Sequence, residues 1–240
     1  MTDLLFRRLQ RRDPGITDVE RRVLAEAVSE VIVAPADSDI VREHQLTDRA
    51  HLLSSGWACR YSTLTGGRRR IQSLHVGGDF VDLQGFTLKR MDYSALALTE
   101  CRLAVIPHER LRVITETMPH LTRLLWLTTV VDAAIQRQWL LGAGQRSALE
   151  RLAHLVCEAF TRLEVCGLND GQRFRMPLNQ AELGDALGIS LVHANRVVGE
   201  LRARGLVRWR GEQIEILDWA GLSALAEFDP AYLELEQRHR

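Results

Sequence analysis

Residues 176–211 constrain the fold of this chain most strongly, because two helical patterns, a glycine and a hairpin pattern follow one another there. Gly188 ends the first pattern, since glycine adopts positive φ at little cost, and Ser190 can cap the second. Alternating residues on both sides of Gly211 predict a two-stranded hairpin. This order of elements predicts a winged helix-turn-helix. The inward stripes of its two helices are Leu178, Ala181, Leu183, Ala186 and Leu187, then Ala194, Val197, Val198 and Leu201.

The second helix and the hairpin also concentrate positive charge. From Ser190 to Gly211 the segment has five arginines and one acidic residue, Glu200, so 5 minus 1 gives +4, whereas the whole chain of 240 residues sums to zero. A local basic surface on a neutral protein indicates nucleic-acid binding, although two helices could also form a simple helical hairpin. The predicted DNA-binding residues are Ser190, Val192, His193, Asn195, Arg196, Arg202, Arg204, Arg208 and Arg210.

Three short motifs make this segment specific: Glu182 to Gly184, Leu187 to Ser190, and Arg196 six residues after Ser190. They resemble the DNA-binding signature of the cyclic-AMP receptor protein and fumarate-nitrate regulator (CRP/FNR) family. The resemblance implies an α+β chain with an N-terminal β-roll sensor like a cyclic-nucleotide-binding domain, a long dimerisation helix and a C-terminal winged helix-turn-helix. It also implies a homodimer on a two-fold operator, RNA polymerase as a partner, and a guanine contact from Arg196.

The N-terminal half of the chain has the pattern of a β-sandwich or roll. Two short amphipathic helices, 4–11 and 17–27, come first, and Thr17 with Glu20 forms a capping box for the second. Short β-rich runs then alternate with turns as far as residue 106, and residues 65–67 mark a hairpin turn. The predicted domains are 1–118 for the roll with its helices, 119–143 for the dimerisation helix and 144–240 for the DNA-binding domain.

Residues 119–141 predict a long helix with two apolar stripes, which end at the helix breaker Gly142 to Gly144, a candidate hinge. One stripe can pack on the roll and the other on a second copy, although a single wide core face in a monomer would give the same pattern. The second stripe comprises Leu127, Val130, Ala134 and Leu141. The stripe predicted to dimerise comprises Leu121, Leu124, Thr128, Val131 and Ile135.

The roll resembles the family's effector domain at residues 75–80, but two residues of its cyclic-nucleotide branch are missing. Leu83 or Asp82 stands near the glutamate that holds the ribose, and Tyr93 precedes Ser94 where an arginine takes the phosphate. A buried phosphate without a cationic partner is unfavourable, so we expect no cyclic nucleotide, with Lys89 and Arg90 as the nearest cations. A pocket for an unknown effector, or plain core packing, is predicted at Phe80, Asp82, Leu83, Gln84, Tyr93 and Ser94.

No cofactor or metal site is predicted. The four cysteines are scattered without a CxxC pair and none precedes Cys59, which argues against the iron-sulfur cluster of the family's oxygen-sensing branch. A cupin-like metal enzyme with a helical tail is the alternative from another class, but its HxH motif is missing. A DNA-binding protein without an effector is the alternative within the same architecture. No signal peptide or membrane span is recognisable, so we expect a cytoplasmic regulator that is not an enzyme and does not contact membranes.

Overall fold

The computed structural model describes residues 2–239, which divide into two compact units. The first unit contains residues 2–62, 74–133 and 234–239, and the second contains residues 63–73 and 134–233. The long helix α5, Pro119–Gln145, contributes to both.

The first unit begins with two helices, and Thr17 caps the second through the predicted box with Glu20. The elements up to the long helix are α1 (Asp3–Arg12), α2 (Asp18–Glu26), β1 (Glu30–Ala34), β2 (Asp39–Val41), β3 (Arg49–Ser55), β4 (Trp57–Thr63), β5 (Arg69–Val76), α3 (Gly85–Leu88), β6 (Ser94–Ala97), β7 (Cys101–Pro107) and α4 (His108–Thr117). Their strands form two sheets, with strand orders β1-β7-β3 and β2-β6-β4-β5, and residues 63–73, which include most of β5, are grouped with the second unit. The sequence pattern missed the short β2, α3 and β6.

The sheet β1-β7-β3 separates two apolar cores because successive strand residues point to opposite faces. Leu52 and Ala104 belong to the core that also includes side chains of α1, α2, α4 and α5. Their neighbours Leu53 and Leu103 belong to the core shared with β2, β4 and β6. A roll packed in this way on its helices confirms the predicted N-terminal architecture.

The second unit contains the predicted winged helix-turn-helix, whose three-stranded sheet has the order β8-β10-β9. Its elements are α6 (Ala148–Cys166), β8 (Arg173–Arg175), α7 (Gln180–Leu187), α8 (Leu191–Ala203), β9 (Val207–Arg210), β10 (Gln213–Ile216), α9 (Trp219–Ala226) and a 3₁₀ turn (Pro230–Leu233). The α+β class, with a roll, a long helix and this domain, is therefore confirmed.

The helix break predicted at Gly142 to Gly144 is wrong. Helix α5 continues to Gln145, and the interruption lies at Arg146 and Ser147. Glycine lowers helix propensity by about 1 kcal/mol, which a long packed helix tolerates. Ser147 starts the next helix because its side chain and Glu150 form a capping box.

Candidate nucleic-acid interface

The turn between α7 and α8 is fixed by local hydrogen bonds. Asn179 caps α7 in a box with Glu182, a signal that was present in the sequence but overlooked. Gly188 has φ of 67° and closes the helix. Ser190 then accepts a hydrogen bond from the His193 N–H at 3.3 Å, which starts α8 as predicted. These caps set the direction in which α8 leaves the turn.

Helix α8 has one buried and one exposed face, as predicted. Ala194, Val197, Val198 and Leu201 are buried. Val192, Asn195 and Arg196 are exposed, and Val192 retains 77% of its accessible surface. Because residues three and four apart lie on one helix face, these side chains form a single outward stripe that can enter a DNA major groove. His193 is half-buried and Ser190 is exposed at the start of the helix.

The wing is a tight hairpin in which Arg210 pairs with Gln213 across Gly211, whose φ is 56°. Alternation along β9 buries Val207 and Trp209 and leaves Arg208 and Arg210 exposed. Strand β8, which the sequence pattern did not predict, joins the other side of β10.

The exposed arginines fall into two groups. Arg204 forms an ion pair with Glu200 at 2.8 Å, and Arg208 forms one with Glu215. No carboxylate within residues 2–239 forms an ion pair with Arg196, Arg202 or Arg210. Only this second group therefore has its whole positive charge available for a phosphate or a base.

The roll interior contains a buried arginine that the sequence analysis did not single out. Arg60 forms an ion pair with Asp132 of α5 at 2.9 Å, and its guanidinium lies 3.9 Å from the centre of the Tyr93 ring. Gln84 donates to Asp132 at 2.7 Å, and the Tyr93 hydroxyl donates to the Val81 carbonyl at 2.9 Å. Burial raises the pKa of Tyr93 above its usual value. The roll thus neutralises its own internal cation.

The six residues of the predicted effector pocket do not belong to one cluster. Phe80 and Leu83 lie in the core facing the helices, whereas Tyr93 lies in the core between the sheets. Asp82 is fully buried, and its carboxylate is hydrogen-bonded to His51 twice. The main-chain N–H of His51 donates to Oδ1 at 2.6 Å, and the ring Nδ1 of His51 lies 2.7 Å from Oδ2. Ser94 accepts from the Glu43 N–H. The pocket remains a prediction, but these side chains already have structural contacts.

Lys89 and Arg90, the nearest cations by sequence, both lie exposed outside the roll interior. Lys89 donates to the Phe86 carbonyl, and Arg90 donates to the His44 carbonyl at 2.8 Å.

The stripe predicted to dimerise is buried within one chain. Leu121, Leu124, Val131 and Ile135 are all buried, and Thr128 is half-buried with its hydroxyl donating to the Leu125 carbonyl. This assignment of faces is wrong, because helical periodicity locates two stripes without showing which one meets the roll. The exposed apolar residues of α5 include Trp126, Val130, Ala133, Leu140 and Leu141, and Trp126 is 68% exposed.

The four cysteines are buried. Burial raises the pKa of Cys101 to about 11 and that of Cys157 to about 12. Within the described residues, no three His, Cys, Asp or Glu side chains are grouped so as to hold a metal ion. The same residues include no helix with the length and apolar character needed to cross a bilayer.

Two family models match the two parts of the chain. Residues 31–117 match the cyclic nucleotide-binding domain, and residues 150–225 match the Crp-like helix-turn-helix domain.

Curated relatives extend this similarity over most of the chain. The transcriptional activator protein FnrA of Stutzerimonas stutzeri is 30% identical over 172 residues, which is 72% of this chain and 70% of that protein. The nitrogen fixation regulation protein FixK of Rhizobium meliloti is 26% identical over 78% of this chain and 82% of its own length. The structure of FixK2 from Bradyrhizobium japonicum matches with a TM-score of 0.74 and 22% identity, over 82% of this chain and 96% of that one.

Proposed function

This chain is a DNA-binding transcription regulator of the CRP/FNR family, and from that premise we propose that it acts as a homodimer on a two-fold operator. The observation that carries the DNA-reading part of this proposal is the capped α8, which presents Arg196 on an exposed stripe without a competing ion pair in the described chain. The proposed setting is the cytoplasm, with RNA polymerase as a further partner. The function is regulatory and not enzymatic.

In this proposal α8 reads bases and the wing contacts the phosphate backbone. Arg196 donates two hydrogen bonds to one guanine, and Val192 contacts a thymine methyl group. His193 and Asn195 contact the backbone or a base edge, and Ser190 positions the helix start. Arg202 and Arg210 contribute most of the phosphate attraction, because Arg204 and Arg208 are held by glutamates.

Arg196→Ala is expected to weaken binding to the preferred operator by about 1–3 kcal/mol and to relax preference at one base pair per half-site. The operator is first selected with the wild-type protein from a pool of random duplexes, and both proteins are then titrated against it and its single-base variants. Arg175→Ala is the matched control, since Arg175 is exposed on β8 and paired with Glu212. Unchanged base preference in Arg196→Ala would refute the reading role.

Arg210→Ala is expected to reduce the slope of log affinity against log salt by about 1 for each phosphate that Arg210 neutralises in the wild type. Arg208→Ala is the control on the same strand, and we expect a smaller change because Glu215, which also pairs with Arg173, partly compensates the charge of Arg208. Affinities are measured at several salt concentrations on one DNA duplex. A wild-type slope in Arg210→Ala would exclude a phosphate contact there.

We place the dimer seam on the exposed stripe of α5, defined by Trp126, Val130, Ala133 and Leu140. Their spacings of four, three and seven residues fit the heptad repeat of two parallel helices. A two-fold operator needs two reading helices at a fixed separation, which a paired α5 would supply.

A cyclic nucleotide does not fit the roll interior. The buried cation, Arg60, is already paired with Asp132 and covered by the Tyr93 ring. A phosphate would have to displace that carboxylate and the stacked ring together. We therefore propose that the roll binds another effector or none, and that DNA binding does not depend on a cyclic nucleotide.

A further inference from the structure

The second unit contains a cavity with three arginines in its wall. Arg70 of β5, Arg146 between α5 and α6, and Arg151 of α6 line it together with Trp139 and His154. Gln138, Gly142, Leu155, Ala186 and Leu187 complete the wall, so no acidic side chain lines it among the residues that the structure describes. All of these residues belong to the same compact unit.

The arginines converge because neighbouring residues leave room for their side chains. A Cβ at Gly142 would lie 3.5 Å from Arg146 Nη1 and 3.7 Å from Arg151 Cγ. A Cβ at Gly188 would collide with the Arg70 guanidinium, so the glycine of the reading turn also accommodates Arg70. Arg151 donates to the Arg146 main-chain carbonyl at 2.8 Å, which holds these two residues next to each other.

The positive charges in this cavity are poorly compensated. The Nε groups of Arg146 and Arg151 are buried and have no hydrogen-bond acceptor within residues 2–239. Asp185 is the carboxylate that acts on Arg70, but it forms its ion pair with Arg69 at 2.8 Å. Burial, and then the charge of Arg151, lower the pKa of Arg70, while burial lowers that of Arg151. Such an arrangement is unfavourable unless an anion accompanies it.

We propose that this arginine cavity binds a phosphate group, either inorganic phosphate or the phosphate of a small ester. Guanidinium groups recognise phosphate through paired, charge-assisted hydrogen bonds, and three of them around one cavity can satisfy a dianion. A free phosphate fits better than the DNA backbone, because no residue of α8 or of the wing lines the cavity. The bound group would join the end of α5 to α6 and to the end of α7.

The test is calorimetric titration of the full chain with sodium phosphate at constant ionic strength, without DNA. We expect saturable binding of one phosphate per chain, weakened about tenfold or more in Arg151→Gln and in Arg146→Gln. Arg175→Gln, which removes a surface arginine paired with Glu212, should bind like the wild type. No saturable binding, or wild-type affinity in both cavity variants, would overturn the proposal.

Thermal unfolding supplies a second measurement in case a cavity variant is unstable. Phosphate should raise the wild-type midpoint more than chloride at equal ionic strength, and Arg70→Gln should keep only the smaller difference that exclusion of phosphate from the surface gives any folded protein. An equal effect of the two salts on the wild type would contradict the proposal. So would Arg151→Gln with unchanged phosphate binding but weaker binding to random duplex DNA, because the cavity would then serve the DNA backbone.

Discussion

Replacing Val130 with glutamate is expected to convert the proposed dimer into a folded monomer and to weaken operator binding about a hundredfold or more. Val130 is exposed in the single chain, so the charge is tolerated before assembly. In the dimer seam the same charge would be desolvated opposite its own copy. Loss of the partner also removes the second α8, which in the dimer binds the other half-site at a high effective concentration. Sedimentation gives the mass, and titration of the selected operator gives the affinity.

Two valine variants separate this prediction from a general effect of charge. Val113→Glu changes a similarly exposed valine on α4 and should leave the dimer intact. Val131→Glu changes the next residue of α5, which is buried, and should lower the stability of the single chain. A dimeric Val130→Glu protein, or a Val131→Glu variant that is stable and merely monomeric, would show that the faces of α5 are assigned wrongly.

Lowering the pH from 7.5 to 4.5 is expected to cost about 2–3 kcal/mol of unfolding free energy through His154 alone. Burial, and then the nearby charge of Arg146, lower the pKa of His154 from 6.5 to about 4. Between these two values the unfolded chain binds a proton at this residue that the folded chain does not. The contribution is therefore complete above pH 6.5 and is lost as the pH falls towards 4.

His154→Phe should remove this part of the pH dependence while keeping an aromatic ring between Phe228 and Tyr232, whose centroids lie 5.4 and 5.9 Å from that of His154. Urea unfolding at both pH values, for wild type and variant, gives the difference directly. His44→Asn is the control, because His44 is exposed and its positive φ suits asparagine. An unchanged pH dependence in His154→Phe would exclude His154 as the source.

The sequence predicts the reading helices well because their determinants are local. Ser190 and Gly188 act within a few residues of their own positions, so pattern and structure agree there. The choice of dimer face on α5 depends instead on contacts with the roll, and both stripes satisfied the same periodicity. The pairing of Arg60 with Asp132 joins β4 to α5 across 72 positions of sequence. Nothing in the sequence next to either residue predicts this pair.

The arginine cavity illustrates the same limit. Arg70, Arg146 and Arg151 lie on separate segments, and in a sequence rich in arginine none of them stands out. Their significance arises only when folding partly buries all three around one cavity and places no carboxylate in its wall among the described residues. The candidate site residues on α8 could be predicted from the spacing of one helix, whereas this cavity required the tertiary structure.

Because all four cysteines are buried, the rate at which they react reports how often the protein opens around them. A thiol reacts with an alkylating reagent or an oxidant as the thiolate, and Cys101 and Cys157 have pKa values of about 11 and 12 in the folded state. Each thiol therefore reacts only after the structure around it has opened. The reaction rates of Cys59 and Cys101 report the opening of the roll, and those of Cys157 and Cys166 report the opening of the unit that contains the DNA-reading helices.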